Sequence, residues 1–303
     1  EYVQCIQRIL SAGTTRILIN GHLSEPIKIE RSVRQGCPMS MHLFVIAIDP
    51  LLTELNKVLN RSVSPCNIIR AYADDITFTA SNLNQLQEIK QVLDTQLTKS
   101  GGKLNEKKTK GMIIGPTYNL ETPIWITKTH NIKILGVLYH NNIAETIREN
   151  WNLVTNSIRR VLAENKQRQF NLLQRAIFIN MFALSKAWYL SQILLMPKLI
   201  GKKLKSATGW FLWHGKIFMV PRNQITLQKN KGGINLIDLQ MKADSLFIYQ
   251  TLKQLSGKGD KFVKCFLETW INTNKIDNPP DLRKLQSFVP HVKKCNTRAT
   301  KKL

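Results

Sequence analysis

The sequence predicts an α+β protein, with short β-prone runs between helices over residues 1–141 and helices thereafter. Three observations carry this. Turn signals at Asn20-Gly21 and at Tyr72–Asp75 separate runs rich in Ile and Leu. From Ala144 to Trp213 the apolar residues recur at helical spacing, as in Ile147, Trp151, Val154, Ile158, Val161 and Leu162. Charge divides near the same point. Residues 1–150 hold 17 Lys and Arg against 13 Asp and Glu (net +4), whereas residues 151–303 hold 27 against 7 (net +20).

In chain order, residues 2–12 read as a helix with Val3, Ile6, Ile9 and Leu10 on one face. Arg16–Gly21 and Pro26–Glu30 form a hairpin with an extended loop. Residues 32–40, with Gly36 and Pro38, are a loop, and Ser40 is the expected N-cap of a helix from Met41 to Leu59. The runs 68–71 and 76–80 flank Tyr72-Ala73-Asp74-Asp75 as a tight hairpin. Asn82 caps a helix over 83–100, which Gly101-Gly102 ends. Lys110–Gly115, Ile124–Thr127 and Ile132–Tyr139 read as short strands. Further helices are expected from Ala144, over Leu172–Met196 before Pro197, over Lys202–Trp213, over Asp238–Leu255 after a Gly232-Gly233 turn, and near Lys261–Trp270.

The composition narrows the function. The chain has 303 residues, 43% hydrophobic and 21% charged, which suits a core-forming protein. A net charge of +24 attracts polyanions, with nucleic acid the expected partner. Five scattered cysteines without a C-x-x-C pair form neither a disulfide framework nor a four-cysteine zinc site, which fits a reducing intracellular compartment. His291 and Cys295 lack two further ligands at zinc spacing. The stretch Ile177–Met196 contains Asn180, Ser185, Lys186, Ser191 and Gln192, and is too polar to span a bilayer. No membrane partner is expected, and nothing in the sequence sets an oligomeric state.

Asp74 and Asp75 are the sharpest chemical feature. Adjacent carboxylates at a hairpin tip repel each other unless a cation neutralises them, and hard oxygen ligands of this kind suit Mg²⁺. A solvated Asp-Asp turn is the ordinary alternative. Tyr72-Ala-Asp-Asp75 resembles the catalytic box of reverse transcriptases, and its neighbours match in order. Arg34-Gln-Gly-Cys-Pro-Met-Ser40 with Leu43-Phe44 is similar to the preceding box, and Gly102–Thr109 to the following one. Ile134-Leu-Gly-Val137 resembles the primer-grip hairpin. Trp213–Gly215, Gly232–Leu236 and Asp238-Leu239 resemble the region after the thumb in non-long-terminal-repeat (LINE-type) retrotransposon polymerases.

The resemblance implies a partial palm at 1–141, a helical thumb at 142–215 and a basic C-terminal extension at 216–303. It implies RNA-directed DNA synthesis with an RNA template, a DNA primer and dNTPs, on a two-metal Mg²⁺ site. Asp74 and Asp75 would hold metal. Arg34, Gln35, Gly36, Tyr72 and Ala73 would face template and nucleotide, and Lys108 (or Lys107) the triphosphate, as a proton donor to pyrophosphate. Leu135 and Gly136 would meet the primer end, and Arg159, Arg160, Lys166 and Arg168 the nucleic-acid backbone. For each basic residue a solvated helix face is the alternative.

The pattern also departs from the family. Its first catalytic box supplies another metal-binding Asp on an upstream strand, and this sequence begins with Glu1, after that point. Asp49 lies inside a helix and is no substitute, and Met41 stands where Pro often follows Ser. The expectation is a polymerase fragment inactive by itself. The rival reading is a non-catalytic or co-opted nucleic-acid-binding remnant. Nuclear action is expected for the parent element.

Overall fold

The computed structural model describes residues 1–11, 13–29, 36–61, 68–114, 122–216 and 219–258. They form two compact units, Glu1–Gly111 with Thr117–Thr129, and Met112–Pro116 with His130–Leu303. Arg34 and Gln35, the proposed helix at 261–270 and the His291/Cys295 pair lie outside the described residues.

The first unit opens with α1 (Tyr2–Ser11), followed by two small antiparallel ladders. Strands β1 (Thr14–Thr15) and β4 (Ile27–Lys28) pair, and β2 (Leu18–Ile19) pairs with β3 (His22–Leu23). Asn20 at φ 48° and Gly21 at φ 84° form the turn of the inner hairpin, both left-handed as a two-residue type I′ turn requires. Helix α2 covers Ser40–Asn60. Ser40 is its first residue and not its cap. The Ser40 N–H donates to Cys37 O (3.2 Å), and the Met39 carbonyl already receives Leu43 N–H (3.0 Å), so the helix begins one residue earlier than the Ser40 signal suggests.

Strands β5 (Ile69–Tyr72) and β6 (Asp75–Phe78) form the central hairpin, followed by α3 (Leu83–Ser100). Asn82 caps α3 by accepting Gln85 N–H at 2.8 Å, and Gly101 ends it in the left-handed region, as the sequence predicts. Gln85 is buried and also donates to Leu59 O (3.3 Å), which ties the end of α2 to the start of α3. The unit's core is Leu51, Leu55, Val58 and Leu59 of α2 with Ile89 and Leu93 of α3, joined by Trp125 and Ile126. The expected strand at 124–127 is instead a turn. Trp125 and Ile126 go into the core, and only Thr127–Lys128 (β8) pairs, parallel to Lys110–Gly111 (β7).

The second unit begins with a hairpin, β9 (Asn131–Ile134) and β10 (Val137–His140), where the alternation alone reads as one strand over 132–139. Helix α4 (Ile143–Glu164) follows, capped by the Asn142 side chain. The single helix expected over 172–196 is divided into α5 (Leu172–Phe178), a π-turn (Ile179–Ala183) and α6 (Ser185–Ser191). The wide turn, closed by Leu184 N–H to Ile179 O at 2.8 Å, accompanies a side-chain clamp. Asn180 donates to Asn235 O (2.9 Å) and accepts Ile237 N–H (3.1 Å), so a polar residue inside an apolar helix is satisfied by distant main chain.

Helix α7 spans Lys198–Leu212, α8 is the short Arg222–Ile225, and α9 runs from Leu239 to Lys253, capped by Asp238 accepting Met241 N–H. Their apolar faces meet α4 in one continuous core around Trp151, Ile158, Ile179, Leu184, Leu204 and Leu212. Trp151 is fully buried, and its indole N–H donates to Leu195 O at 3.0 Å. No helix among the described residues is long and apolar enough to cross a membrane.

Candidate active-site hairpins

The carboxylate pair sits where the β5–β6 register puts it. Tyr72 pairs with Asp75, Ala71 with Ile76, Arg70 with Thr77 and Ile69 with Phe78, so Ala73-Asp74 is the two-residue turn. Strand alternation then sorts the side chains. Ile69, Ile76 and Phe78 share the face packed on the core, and Arg70, Tyr72, Asp75 and Thr77 share the opposite one. Tyr72 is 67% exposed, and Asp74 and Asp75 are both open to solvent. The apolar alternation flanking the motif is what turns the acidic tip outward.

The turn itself is strained. Ala73 has φ 53°, and Asp74 is not among the positive-φ residues, the sign pattern of a type II′ turn, whose first central position normally holds Gly. A Cβ there costs about 1 kcal/mol or more. A short side chain held in such a turn sets where the two following carboxylates point.

The donor set fits a hard divalent cation in part. Asp74 and Asp75 bring adjacent carboxylate oxygens, but among the described residues no group of three or more His, Cys, Asp or Glu forms a metal-holding cluster. Asp49 lies within α2, ahead of Pro50, and completes no such cluster.

Gly36 has φ 85°, and a Cβ built there meets nothing within 4 Å, so the described chain requires glycine for its backbone angle and not for want of space. Lys107 and Lys108 are exposed on a turn organised by Asn105, whose carbonyl accepts Lys108 N–H (3.0 Å) and Thr109 N–H (3.0 Å). The neighbouring acid, Glu106, is engaged by Lys90 at 3.2 Å, which also bridges to Asp94 at 2.9 Å. Those bonds, Asp94 foremost, hold the Lys90 ammonium above its ordinary value against partial desolvation. Lys90 is thereby a structural cation, while Lys107 and Lys108 form no ion pair among the described residues.

The second hairpin is built on the second unit. Leu135 (φ 46°) and Gly136 (φ 86°) form its turn, and Leu135 O accepts the Tyr189 hydroxyl at 2.7 Å. Asn150 of α4 holds the β10 edge by both main-chain groups of one residue. It accepts Leu138 N–H (2.9 Å) and donates to Leu138 O (2.6 Å). Thr146 accepts His140 N–H at 2.9 Å, and the His140 ring meets Glu149 at 2.9 Å. Sequence reasoning did not single out Asn150. A polar residue at a core-facing position one residue before Trp151 was the available signal. Arg159, Arg160, Lys166 and Arg168 are all exposed at the end of α4 and just beyond, with Arg160 near Glu164 (3.7 Å).

Comparison with known proteins adds two findings. Residues 2–139 match the family described as reverse transcriptase (RNA-dependent DNA polymerase). The chain is also 25% identical over 267 residues to the transposon TX1 uncharacterized 149 kDa protein of Xenopus laevis. That similarity covers 84% of this chain and 20% of the relative, so the chain spans about a fifth of that protein's length. The family match covers less than half of this chain and contains the β5–β6 hairpin and all but the last residue of the β9–β10 hairpin.

Proposed function

We propose that this chain is part of a LINE-type retrotransposon reverse transcriptase, carrying the carboxylate turn of a two-metal nucleotidyl-transfer site and a basic unit that holds the primed template. The observation that carries the reading is Asp74-Asp75 on the outward end of a strained hairpin, inside a stretch that matches reverse transcriptases. Asp74 and Asp75 are the residues that would hold Mg²⁺. When bound, the metal supplies activation of the primer 3′-hydroxyl and charge neutralisation at the leaving pyrophosphate. The chain's own contribution is to fix the two carboxylates through the Tyr72–Asp75 pair and to present Lys107 and Lys108 from the Asn105 turn.

The palm, thumb and extension assignments belong to this proposal. So do the template- and nucleotide-facing roles of Arg34, Gln35, Gly36, Tyr72 and Ala73, the primer contact of Leu135-Gly136, and action in the nucleus. The second unit carries most of the positive charge, and backbone phosphates are its expected ligand.

Among the described residues no third carboxylate joins Asp74 and Asp75, an arrangement that gives weak metal affinity and loose geometry, so the 303-residue chain by itself should not extend a primer. Binding to a primed RNA–DNA hybrid across a salt series, with and without Mg²⁺, tests the reading. Tight binding with a steep salt slope is expected, with a Mg²⁺-dependent increment that Asp74→Asn/Asp75→Asn abolishes. No binding at low salt overturns the proposal, and magnesium-dependent extension by the purified chain overturns the incomplete-site part of it. A nucleic-acid-binding remnant would bind without the Mg²⁺ increment.

A further inference from the structure

Several basic groups gather at the C-terminal end of α7, apart from both hairpins. Lys166 Nζ stands 4.4 Å from the ring centroid of Trp210, an indole 43% exposed. Arg175 is buried, with Nε donating to Phe170 O (2.9 Å) and Nη1 to Phe211 O (3.2 Å). The chain leaves α7 through His214 (φ 54°) and Gly215 (φ 77°). Gly215 N–H donates to Trp210 O at 2.8 Å, and a Cβ at Gly215 would come within 3.1 Å of Trp210 Nε1. The same indole therefore holds Lys166 and receives the tight turn that presents His214 and Lys216.

None of Lys166, Arg175, His214 and Lys216 forms an ion pair among the described residues. Local loss of solvent, then the charges of Arg175, Lys216 and Lys166, keep the His214 imidazole below its ordinary value. The last carbonyls of α7 offset part of the positive charge, but a helix terminus carries only about half an elementary charge. Three full cations remain, two of them held in place by an aromatic face and by main-chain carbonyls. An arrangement that fixes like charges together and leaves them unneutralised is organised for an anion from outside the chain.

We propose that Lys166, Arg175, His214 and Lys216, set around Trp210, form a clamp for a backbone phosphate of bound nucleic acid. The inference rests on the reading that the second unit binds a primed RNA–DNA hybrid, and it names where one phosphate is held. Arg175 sits at the back as the fixed charge, and Lys166 and Lys216 close on the phosphate oxygens. Trp210 orients Lys166 so that less side-chain freedom is lost on binding.

The test measures binding of a labelled primed hybrid to the full 303-residue chain by fluorescence anisotropy over a salt series. Lys166→Gln/Lys216→Gln should lower the logarithmic salt slope by about 1, as loss of one phosphate contact requires, and weaken binding about tenfold at moderate salt. Lys229→Gln/Lys231→Gln removes the same charge from another exposed turn, outside this cluster, and should weaken binding less. Trp210→Leu changes no charge and should weaken binding a few-fold, at unchanged circular dichroism, by releasing Lys166. A cluster variant no weaker than the Lys229/Lys231 control overturns the clamp while leaving the nucleic-acid reading standing. A wild-type chain that does not bind overturns both.

Discussion

The two units differ in how they are closed. In the second, helices α4–α7 and α9 surround a core that includes Trp151, Ile179, Leu204 and Leu212, and even its hairpin is fastened by side chains from α4 and α6. In the first, the core is a short seam between the second half of α2, α3 and residues 125–126. Its N-terminal ladders are only two strands wide, with Leu18, Ile19 and Leu23 each more than 60% exposed, and Met41, Val45 and Ile46 of α2 are open as well. The difference teaches where the packing has been placed. The unit that is proposed to grip a long polyanion closes on one continuous core, and among the described residues the unit that presents the carboxylates has a small core and a strained turn.

The comparison can be broken most directly at Trp151. Trp151→Ala removes a fully buried indole and its bond to Leu195, and should destabilise the second unit by about 3–5 kcal/mol. In urea denaturation followed by unit-specific probes, only that unit's transition should move. Transitions that shift together would mean that the two units unfold as one.

Asn150→Ala is the next largest. It leaves both main-chain groups of Leu138 without their partner, at a cost of about 1–3 kcal/mol. Faster amide exchange at Leu138, with α7 unaffected, is the expected reading. Unchanged protection would show that the hairpin does not need α4.

Ala73→Gly works in the opposite direction on the first unit. It should stabilise the carboxylate hairpin by about 0.5–1 kcal/mol, because relief of a positive φ exceeds glycine's added chain entropy. A loss of stability would mean that Ala73 is unstrained where it sits.

The smallest effect is the pH response of His214. Its folded-state value is depressed, so protonation is easier in the unfolded chain. Stability is therefore complete above the ordinary histidine range and declines as pH falls through about 6.5. His214→Gln should flatten that part of the pH–stability curve, and an unchanged curve would remove the repulsion argument for the imidazole.

Much of this was legible in sequence where one residue type has one physical use. Asn82 and Gly101 bracket α3, and Asp238 starts α9, whereas the Asn20-Gly21 signal marks a turn that joins 18–19 to 22–23 and not, through an extended loop, 16–21 to 26–30. The outward placement of Asp75 follows from alternation around Tyr72–Asp75 alone. Legibility failed where a long-range partner decides. Asn180 interrupts an otherwise continuous helical pattern, and only its bonds to Asn235 and Ile237 explain the π-turn. Trp125 and Ile126 have strand-like chemistry but are drawn into the core between α2 and α3. The gathering of Lys166, Arg175 and Lys216 is likewise invisible to spacing, because it depends on how α4, α5 and α7 pack.

The paired asparagines also bear on how such a sequence can drift. Asn150 and Asn180 recognise main chain, and a peptide group is the same whichever side chain it carries. Positions 138, 235 and 237 are thereby left free, so far as these bonds go, to exchange one residue for another over evolutionary time. Positions 150 and 180 are not, since each needs a donor and an acceptor on one short side chain, which Asp and Leu lack and Gln places a methylene too far out. Among distant descendants of this chain, the two asparagines should outlast the residues they hold.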